Sequence, residues 1–197
     1  MDLCDPNEQI PWITDSAREW LDRHLRADMA VFEWGTGGST LFYARNAIHV
    51  VSVEHNPEWF EAVRHALDQA GIGNCDYFLV RPQPCRLAPF MPYNSRTCVS
   101  RTFPEHARQL FRNYVRKIDE HPDRSFDLIV VDGRARASCL RHAVPKVRSG
   151  GYLMLDNSER PLYRPAMDIL RRFPRLDFFG HGPRLAEEWM TTVWQIT

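Results

Sequence analysis

A glycine-dense loop between two apolar strands constrains this chain more than any other feature of its sequence. Residues 30–32 read as a short buried strand, and the run Gly-Thr-Gly-Gly-Ser-Thr at positions 35–40 leads into a helix that ends near residue 45. A second apolar strand follows at residues 49–53. Strand, loop, helix and strand in this order predict two parallel strands joined by a right-handed crossover.

The loop and the acid that follows it are suited to a nucleoside ligand. Glycines let the backbone take positive φ, and they let a ligand approach main-chain N–H groups that a Cβ would shield. Glu54 ends the second strand. A carboxylate at that position can accept hydrogen bonds from both hydroxyls of a ribose. The two features together therefore predict a nucleoside site.

Details of the loop separate two kinds of nucleotide-type ligand. The dinucleotide fingerprint is G-x-G-x-x-G/A, whereas this chain carries Thr40 where the third small residue would pack helix against strand. An acidic residue two positions before the first glycine, here Glu33, is not part of that fingerprint. Both observations disfavour NAD.

With Glu33 and Glu54 in these positions, the sequence resembles the class I S-adenosylmethionine-dependent methyltransferases. Their first motif is E-x-G-x-G-x, and their second strand ends in an acidic residue. The resemblance implies that the loop borders the methionine part of the cofactor and that Glu54 holds the ribose. The residues assigned to the cofactor on this interpretation are Glu33, Gly35, Thr36, Gly37, Gly38, Ser39, Glu54, His55 and Asp132.

The remaining sequence continues the alternation of strands and helices. A leading helix is predicted at about 14–28, and crossover helices at 56–70, 137–147 and 166–173. Further strands are predicted at 75–80, 126–132 and 152–155, and the last two, at 176–180 and 190–196, form a hairpin. The expected fold is a doubly wound α/β domain with a seven-stranded, mostly parallel sheet and an antiparallel last strand, as in class I methyltransferases.

One long connection, at about residues 84–125, does not fit the alternation and predicts a substrate-side insertion within a single domain of residues 1–197. Its second half, residues 105–120, has an amphipathic pattern and predicts a helix. Arg108, Arg112 and Arg116 recur every four residues there, either as a solvated face or as a surface for an anionic substrate. We expect acceptor selectivity to lie in this insertion.

Two strand ends carry the candidate chemistry. Methylation of a hydroxyl requires a base, and Asp132, Asp156, His55 and His142 are the candidates. Asp132, Asp156 and Asn157 also form a set of hard oxygen ligands suited to Mg²⁺. In this respect the chain is similar to the catechol-type O-methyltransferases.

It departs from those enzymes at Ala135, where they carry a lysine. The usual base is therefore missing. Asp132 alternatively contacts cofactor or acceptor directly, and Asp156-Asn157 caps a loop.

Composition and the absence of one motif disfavour several classes of partner. The chain carries 25 basic and 25 acidic residues, so no overall field favours nucleic acid or an anionic membrane. The (D/N)-P-P-(Y/F) loop of base amino-methyltransferases is absent after the fourth strand, and nucleic acid is not expected as a partner. Five scattered cysteines without a C-x-x-C pair indicate a reducing compartment, and no apolar run approaches a membrane span. We expect a cytoplasmic protein.

These observations predict an S-adenosylmethionine-dependent methyltransferase acting on a small molecule or glycan, at oxygen. Two alternatives stay open. One is a protein that binds the nucleoside ligand without chemistry, as a sensor or partner subunit. The other is a nucleotide-dependent oxidoreductase, which would bind NAD(H) instead. The sequence does not indicate the oligomeric state.

Overall fold

A computed structural model describes residues 3–183 and 185–197 and contains one large twisted sheet. The strands in chain order are β1 (Ala30–Trp34), β2 (His49–Glu54), β3 (Cys75–Leu79), β4 (Gln83–Pro84), β5 (Gln109–Leu110), β6 (Phe126–Val131), β7 (Val147–Leu155), β8 (Arg175–Gly182) and β9 (Leu185–Gln195). Seven of them form the sheet in the order β3-β2-β1-β6-β7-β9-β8, and β4 pairs with β5 separately. Of these seven strands, β9 runs in the direction opposite to the other six. The predicted fold class is confirmed.

Six α-helices accompany the strands in the described part of the chain. They are α1 (Asp15–His24), α2 (Gly38–Asn46), α3 (Pro57–Gln69), α4 (Arg112–Arg116), α5 (Arg136–Ala143) and α6 (Arg164–Met167). No helix in the described part of the chain is both long and apolar enough to cross a membrane.

The core lies on both faces of the central strands β1 and β6. Phe32 and Ile129 pack on one face, and their neighbours Val31 and Leu128 pack on the other. Alternate residues of a strand point to opposite faces, so a continuous apolar run is what a strand covered on both sides requires. Because β1, β2, β6 and β7 are parallel, their C-terminal ends lie at one edge of the sheet.

The helices α1 and α3 each begin after a polar residue, but only one of these residues caps its helix. Asn56 precedes α3, and its side-chain oxygen accepts a hydrogen bond from the Trp59 backbone N–H at 3.0 Å. Thr14 precedes α1, but its hydroxyl donates to the carbonyl of Phe178 at 3.2 Å instead of capping the helix. The Thr14 side chain therefore ties α1 to the edge strand β8.

The prediction of a single amphipathic helix at residues 105–120 is wrong. The structure has a 3-10 turn at Pro104–His106, the short strand β5, the five-residue helix α4 and a second turn at Lys117–Glu120. Leu110 is drawn into extended backbone because it pairs with Gln83 and bridges to Val99. The apolar residues predicted for the helix still reach the core, where Phe111, Tyr114, Val115 and Ile118 are buried.

Strand and helix boundaries after β6 also differ from the prediction. β7 begins at Val147, which pairs with Phe126, whereas the sequence predicts that this strand begins at residue 152. An irregular register between Phe126 and Leu128 and a φ of +83° at Gly150 accommodate residues 149–151. The helix predicted at 166–173 is the short α6 followed by a 3-10 turn at Asp168–Leu170. The predicted hairpin of β8 and β9 is confirmed, with longer strands.

Candidate active site

The glycine loop meets the turn after β6 at a very close approach. Gly35 has a φ of +87°, and a Cβ at this position would lie 2.6 Å from the backbone nitrogen of Gly133. Any other residue would clash with backbone and strain its own φ. Gly35 therefore allows the ends of β1 and β6 to come together, as the sequence predicts for one sheet edge.

Two further contacts fix the loop. The indole Nε1 of Trp59 donates a hydrogen bond to the carbonyl of Thr36 at 2.6 Å, and a Cβ on Gly37 would lie 3.5 Å from the same indole. Gly38 lies beneath the N-terminal segment, where a Cβ would collide with the carbonyl of Glu8 and lie 2.8 Å from that of Ile10. The first helical turn of α2 is thus held between Trp59 and the N-terminal segment.

Glu33 lies under the loop and is fully buried. Its carboxylate accepts hydrogen bonds from Ser39 Oγ at 3.0 Å and from Ser52 Oγ at 2.7 Å. Burial raises the pKa of Glu33 to about 7 in spite of these hydrogen bonds. Glu33 ties the start of α2 to β2, and its predicted place beside the cofactor's methionine part stays a prediction.

Glu54 stands at the end of β2 with both carboxylate oxygens hydrogen-bonded. Oε1 accepts from the backbone N–H groups of His55 and Asn56, each at 2.7 Å. Oε2 accepts from the N–H of Thr36 at 3.3 Å and from its hydroxyl at 3.0 Å. The hydroxyl also lies 2.8 Å from the phenolic oxygen of Tyr77. The side chain of Thr36 therefore occupies a position from which a ligand hydroxyl would also reach Glu54.

His55 sets the ionisation of that carboxylate. Its Nδ1 lies 2.7 Å from Glu54 Oε1. Burial raises the pKa of Glu54, but the His55 imidazole and the backbone N–H groups of His55 and Asn56 outweigh it and hold the pKa below its usual value. Glu54 is accordingly an acceptor-only group at neutral pH, as a ribose ligand requires.

A pocket of about 410 Å³ opens beside these residues. The glycine loop, the end of β2 and the start of α3 form one side of it, and the turn after β6 forms another. The insertion adds Glu105 and His106, so this segment borders the same pocket as the glycine loop. The lining residues are Gly35, Thr36, Glu54, His55, Asn56, Trp59, Glu105, His106, Asp132, Gly133 and Arg134.

Arg136 joins the ends of β6 and β7. Its Nη2 donates to Asp132 Oδ1 and to the Asp132 carbonyl, each at 2.8 Å. Its Nη1 donates to the carbonyl of Asp156 and lies 3.5 Å from Asp156 Oδ2. The side chain is buried. Arg136 was not among the predicted site residues; the available signal was its position four residues after Asp132, at the start of the following helix.

The residues predicted for magnesium do not fit a metal site. The Arg136 guanidinium already lies between the Asp132 and Asp156 carboxylates. Asp156 Oδ1 accepts hydrogen bonds from Trp189 Nε1 at 2.8 Å and from Thr191 Oγ1 at 2.9 Å. No group of three His, Cys, Asp or Glu side chains is placed to hold an ion within residues 3–183 and 185–197. The position of Arg136 therefore favours a guanidinium bridge over the Mg²⁺ site predicted at Asp132, Asp156 and Asn157.

A second pocket, of about 310 Å³, lies on the other side of Asp132. Aromatic rings and carboxylates line it. The lining residues are Trp12, Asp132, Asp156, Asn157, Glu159, Arg160, Pro183, Glu187, Glu188 and Trp189. A larger hollow of about 550 Å³ lies between α6 and the hairpin, but no residue of the glycine loop borders it. Asp132 is the residue that lines both smaller pockets among those that the structure describes.

The ionisation of Asp132 reflects its neighbours. Burial raises its pKa, the Arg136 guanidinium opposes the rise, and the Asp156 carboxylate adds to it, which leaves the pKa at about 7. A carboxylate with this pKa takes up and releases protons near neutral pH. His142, another predicted base, lies elsewhere: its Nδ1 is 2.8 Å from Asp119 Oδ1 near the end of α5.

Comparison with known proteins decides the fold and leaves the chemistry open. No family model matches the chain, and no curated protein matches its sequence. Among solved structures, an O-methyltransferase from Bacillus cereus in complex with SAH is 14% identical and has a TM-score of 0.67, covering 94% of this chain and 82% of that one. TomG, an O-methyltransferase from Streptomyces achromogenes in complex with SAM, is 16% identical with a TM-score of 0.64, covering 90% and 77%.

The fold is that of the class I methyltransferases. The same class I fold is found in an rRNA methylase from Streptococcus thermophilus, which is 11% identical with a TM-score of 0.60 and covers 92% of this chain and 95% of that one. O-methyltransferases and an rRNA methylase therefore share this architecture, and the acceptor has to be argued from the site itself.

Proposed function

We propose that the protein transfers a methyl group from S-adenosylmethionine to a hydroxyl of a small molecule or glycan. The observation that carries this proposal is the position of Asp132. This residue lines the pocket of the glycine loop and also the pocket of Trp12 and Trp189. A donor in the first pocket and an acceptor in the second would meet beside one titratable group.

The adenosyl group is assigned to the pocket beside Glu54. Ribose hydroxyls would donate to Glu54 Oε2 and take over the hydrogen bond that Thr36 Oγ1 makes there at 3.0 Å. Thr36 would keep its contact with Tyr77 at 2.8 Å. His55, Trp59 and His106 supply aromatic surface around the remaining space of this pocket.

The residues of the chain have two tasks in such a reaction. They align donor and acceptor, which can save about 7–11 kcal/mol of the barrier to displacement at the methyl carbon. They also remove the hydroxyl proton, which we assign to Asp132. Arg136 holds Asp132 Oδ1 at 2.8 Å and thereby orients the carboxylate. S-adenosylmethionine, when bound, would supply the methyl group and leave as S-adenosylhomocysteine, and Asp132 would take the proton from the acceptor hydroxyl.

The test is methyl transfer from labelled S-adenosylmethionine to a panel of hydroxyl-bearing aromatic compounds and sugars. The wild type should label at least one member, Asp132→Asn should lose the activity, and the exposed Asp28→Asn should retain it. Labelling that is equal in the Asp132 and Asp28 variants would refute the assigned base. Affinity for S-adenosylhomocysteine without turnover on any acceptor would favour a binding protein, and affinity for NAD(H) instead would favour an oxidoreductase.

A further inference from the structure

A second candidate site lies away from the sheet edge, on the other side of α5. A hollow of about 530 Å³ is lined by side chains from three separate segments. The insertion contributes Arg96, α4 contributes Arg112 and Arg116, and α5 contributes Arg141 and His142. We call it the arginine hollow.

The arginine hollow concentrates positive charge in a chain with no net charge. Asp119 is the one carboxylate paired there: it lies 3.3 Å from Arg116 Nε and 2.8 Å from His142 Nδ1. The guanidiniums of Arg96, Arg112 and Arg141 form no ion pair with any residue that the structure describes. Arg96, Arg112, Arg116 and Arg141 are all exposed, so their guanidiniums are accessible to an anion that binds at this positively charged surface.

This convergence is not the periodic face of one helix. Arg108, the first member of the predicted row, does not line the hollow, because the chain is extended at Gln109–Leu110 before α4 begins. Arg96 and Arg141 join Arg112 and Arg116 from other segments. A solvated helix face would not explain why arginines from three segments meet at one hollow.

We propose that the arginine hollow binds a phosphate group. A guanidinium presents a planar fork of N–H donors that matches the oxygens of a phosphate, and several forks around one anion are a common means of holding it. Arg141 lies five residues after Arg136 on α5, about 7.5 Å along the helix axis at 1.5 Å per residue. The site is therefore distinct from the two pockets at Asp132, and its occupant does not depend on methyl transfer.

Calorimetric titration with inorganic phosphate tests the proposal on the full chain. The variant is Arg112→Gln with Arg141→Gln, and the matched control is Arg23→Gln with Arg108→Gln, which removes the same charge from exposed positions outside the hollow. We expect phosphate to bind the wild type and the control. Binding to the hollow variant should be weaker by about tenfold for each guanidinium removed.

A second arm identifies the source of the phosphate. If a single-stranded oligonucleotide binds the wild type and free phosphate does not, the site is assigned to a polynucleotide backbone. The slope of oligonucleotide affinity against salt concentration should then be smaller in the hollow variant, by about two counterions. Equal binding by all three proteins, or no binding of either probe to the wild type, would overturn the proposal.

A melting measurement separates the loss of a site from misfolding. Without anion, the hollow variant should melt at about the temperature of the wild type, since both replaced residues are exposed. Phosphate should raise the melting temperature of the wild type and of the control, and leave that of the hollow variant unchanged. A variant that melts lower without anion and still gains stability from phosphate would contradict the proposed site.

Discussion

Gly35→Ala tests the close approach on which the candidate site depends. Gly35 has a φ of +87°, and a residue with a Cβ in this region is strained by about 1–2 kcal/mol. The new Cβ would also lie 2.6 Å from the Gly133 nitrogen and 2.7 Å from its Cα. Because the obstacle is backbone, the turn after β6 has to move, at a cost of about 1–3 kcal/mol. We expect a total loss of about 2–5 kcal/mol of unfolding free energy.

Two other glycines separate the cost of backbone strain from the cost of steric overlap. Gly71 has a φ of +65° with nothing within 4 Å of a Cβ, so Gly71→Ala should lose only the backbone term of about 1–2 kcal/mol. Gly73 has open space and no positive φ, so Gly73→Ala should be neutral or stabilising by about 0.4–1 kcal/mol. Urea unfolding followed by tryptophan fluorescence measures all three. The reasoning is refuted if Gly35→Ala loses no more stability than Gly71→Ala.

Three further predictions concern ionisation and metal. The kcat/KM of the wild type should rise with pH and level off above about 7, where Asp132 is ionised. Asp132→Asn should lower kcat/KM by about 10²–10⁴-fold. A flat pH profile of the wild type would count against Asp132 as the base. Burial raises the pKa of Glu33 from 4.5 to about 7, so its contribution to stability is present below pH 4.5 and lost as pH rises through 7. The difference in unfolding free energy between wild type and Glu33→Gln should therefore fall by roughly 3 kcal/mol across that window, and a constant difference would show that Glu33 titrates normally. Velocity should not change with excess EDTA or added Mg²⁺, because Arg136 lies between the two carboxylates; a strict requirement for Mg²⁺ would contradict the guanidinium bridge.

The sheet could be predicted from local patterns because each strand is marked by its own residues. The apolar run at Phe126–Val131 indicates a strand buried on both faces, and Gly35 indicates the close turn that follows β1. Asn56 gives the start of α3 by its capping side chain. These signals lie within a few residues of the element they specify, so one sequence was sufficient to place them.

The insertion and the details of the site could not be predicted in the same way. Leu110 leaves the helical pattern because it pairs with Gln83, a partner that is distant in sequence. Arg136 reaches Asp156 only because β6 and β7 are neighbours in the sheet. Thr36 was predicted to lie beside the cofactor, but its hydrogen bond to Glu54 depends on the conformation of the loop. Such contacts are set by tertiary structure.

Calorimetry with S-adenosylhomocysteine measures whether Glu54 and the glycine loop bind an adenosyl group. The wild type should bind, and so should Glu19→Gln, which removes an exposed carboxylate on α1. Glu54→Gln loses charged hydrogen bonds to the ribose and should bind about 10–100-fold more weakly. Equal affinity of folded Glu54→Gln and wild type, or no binding by the wild type, would contradict the account.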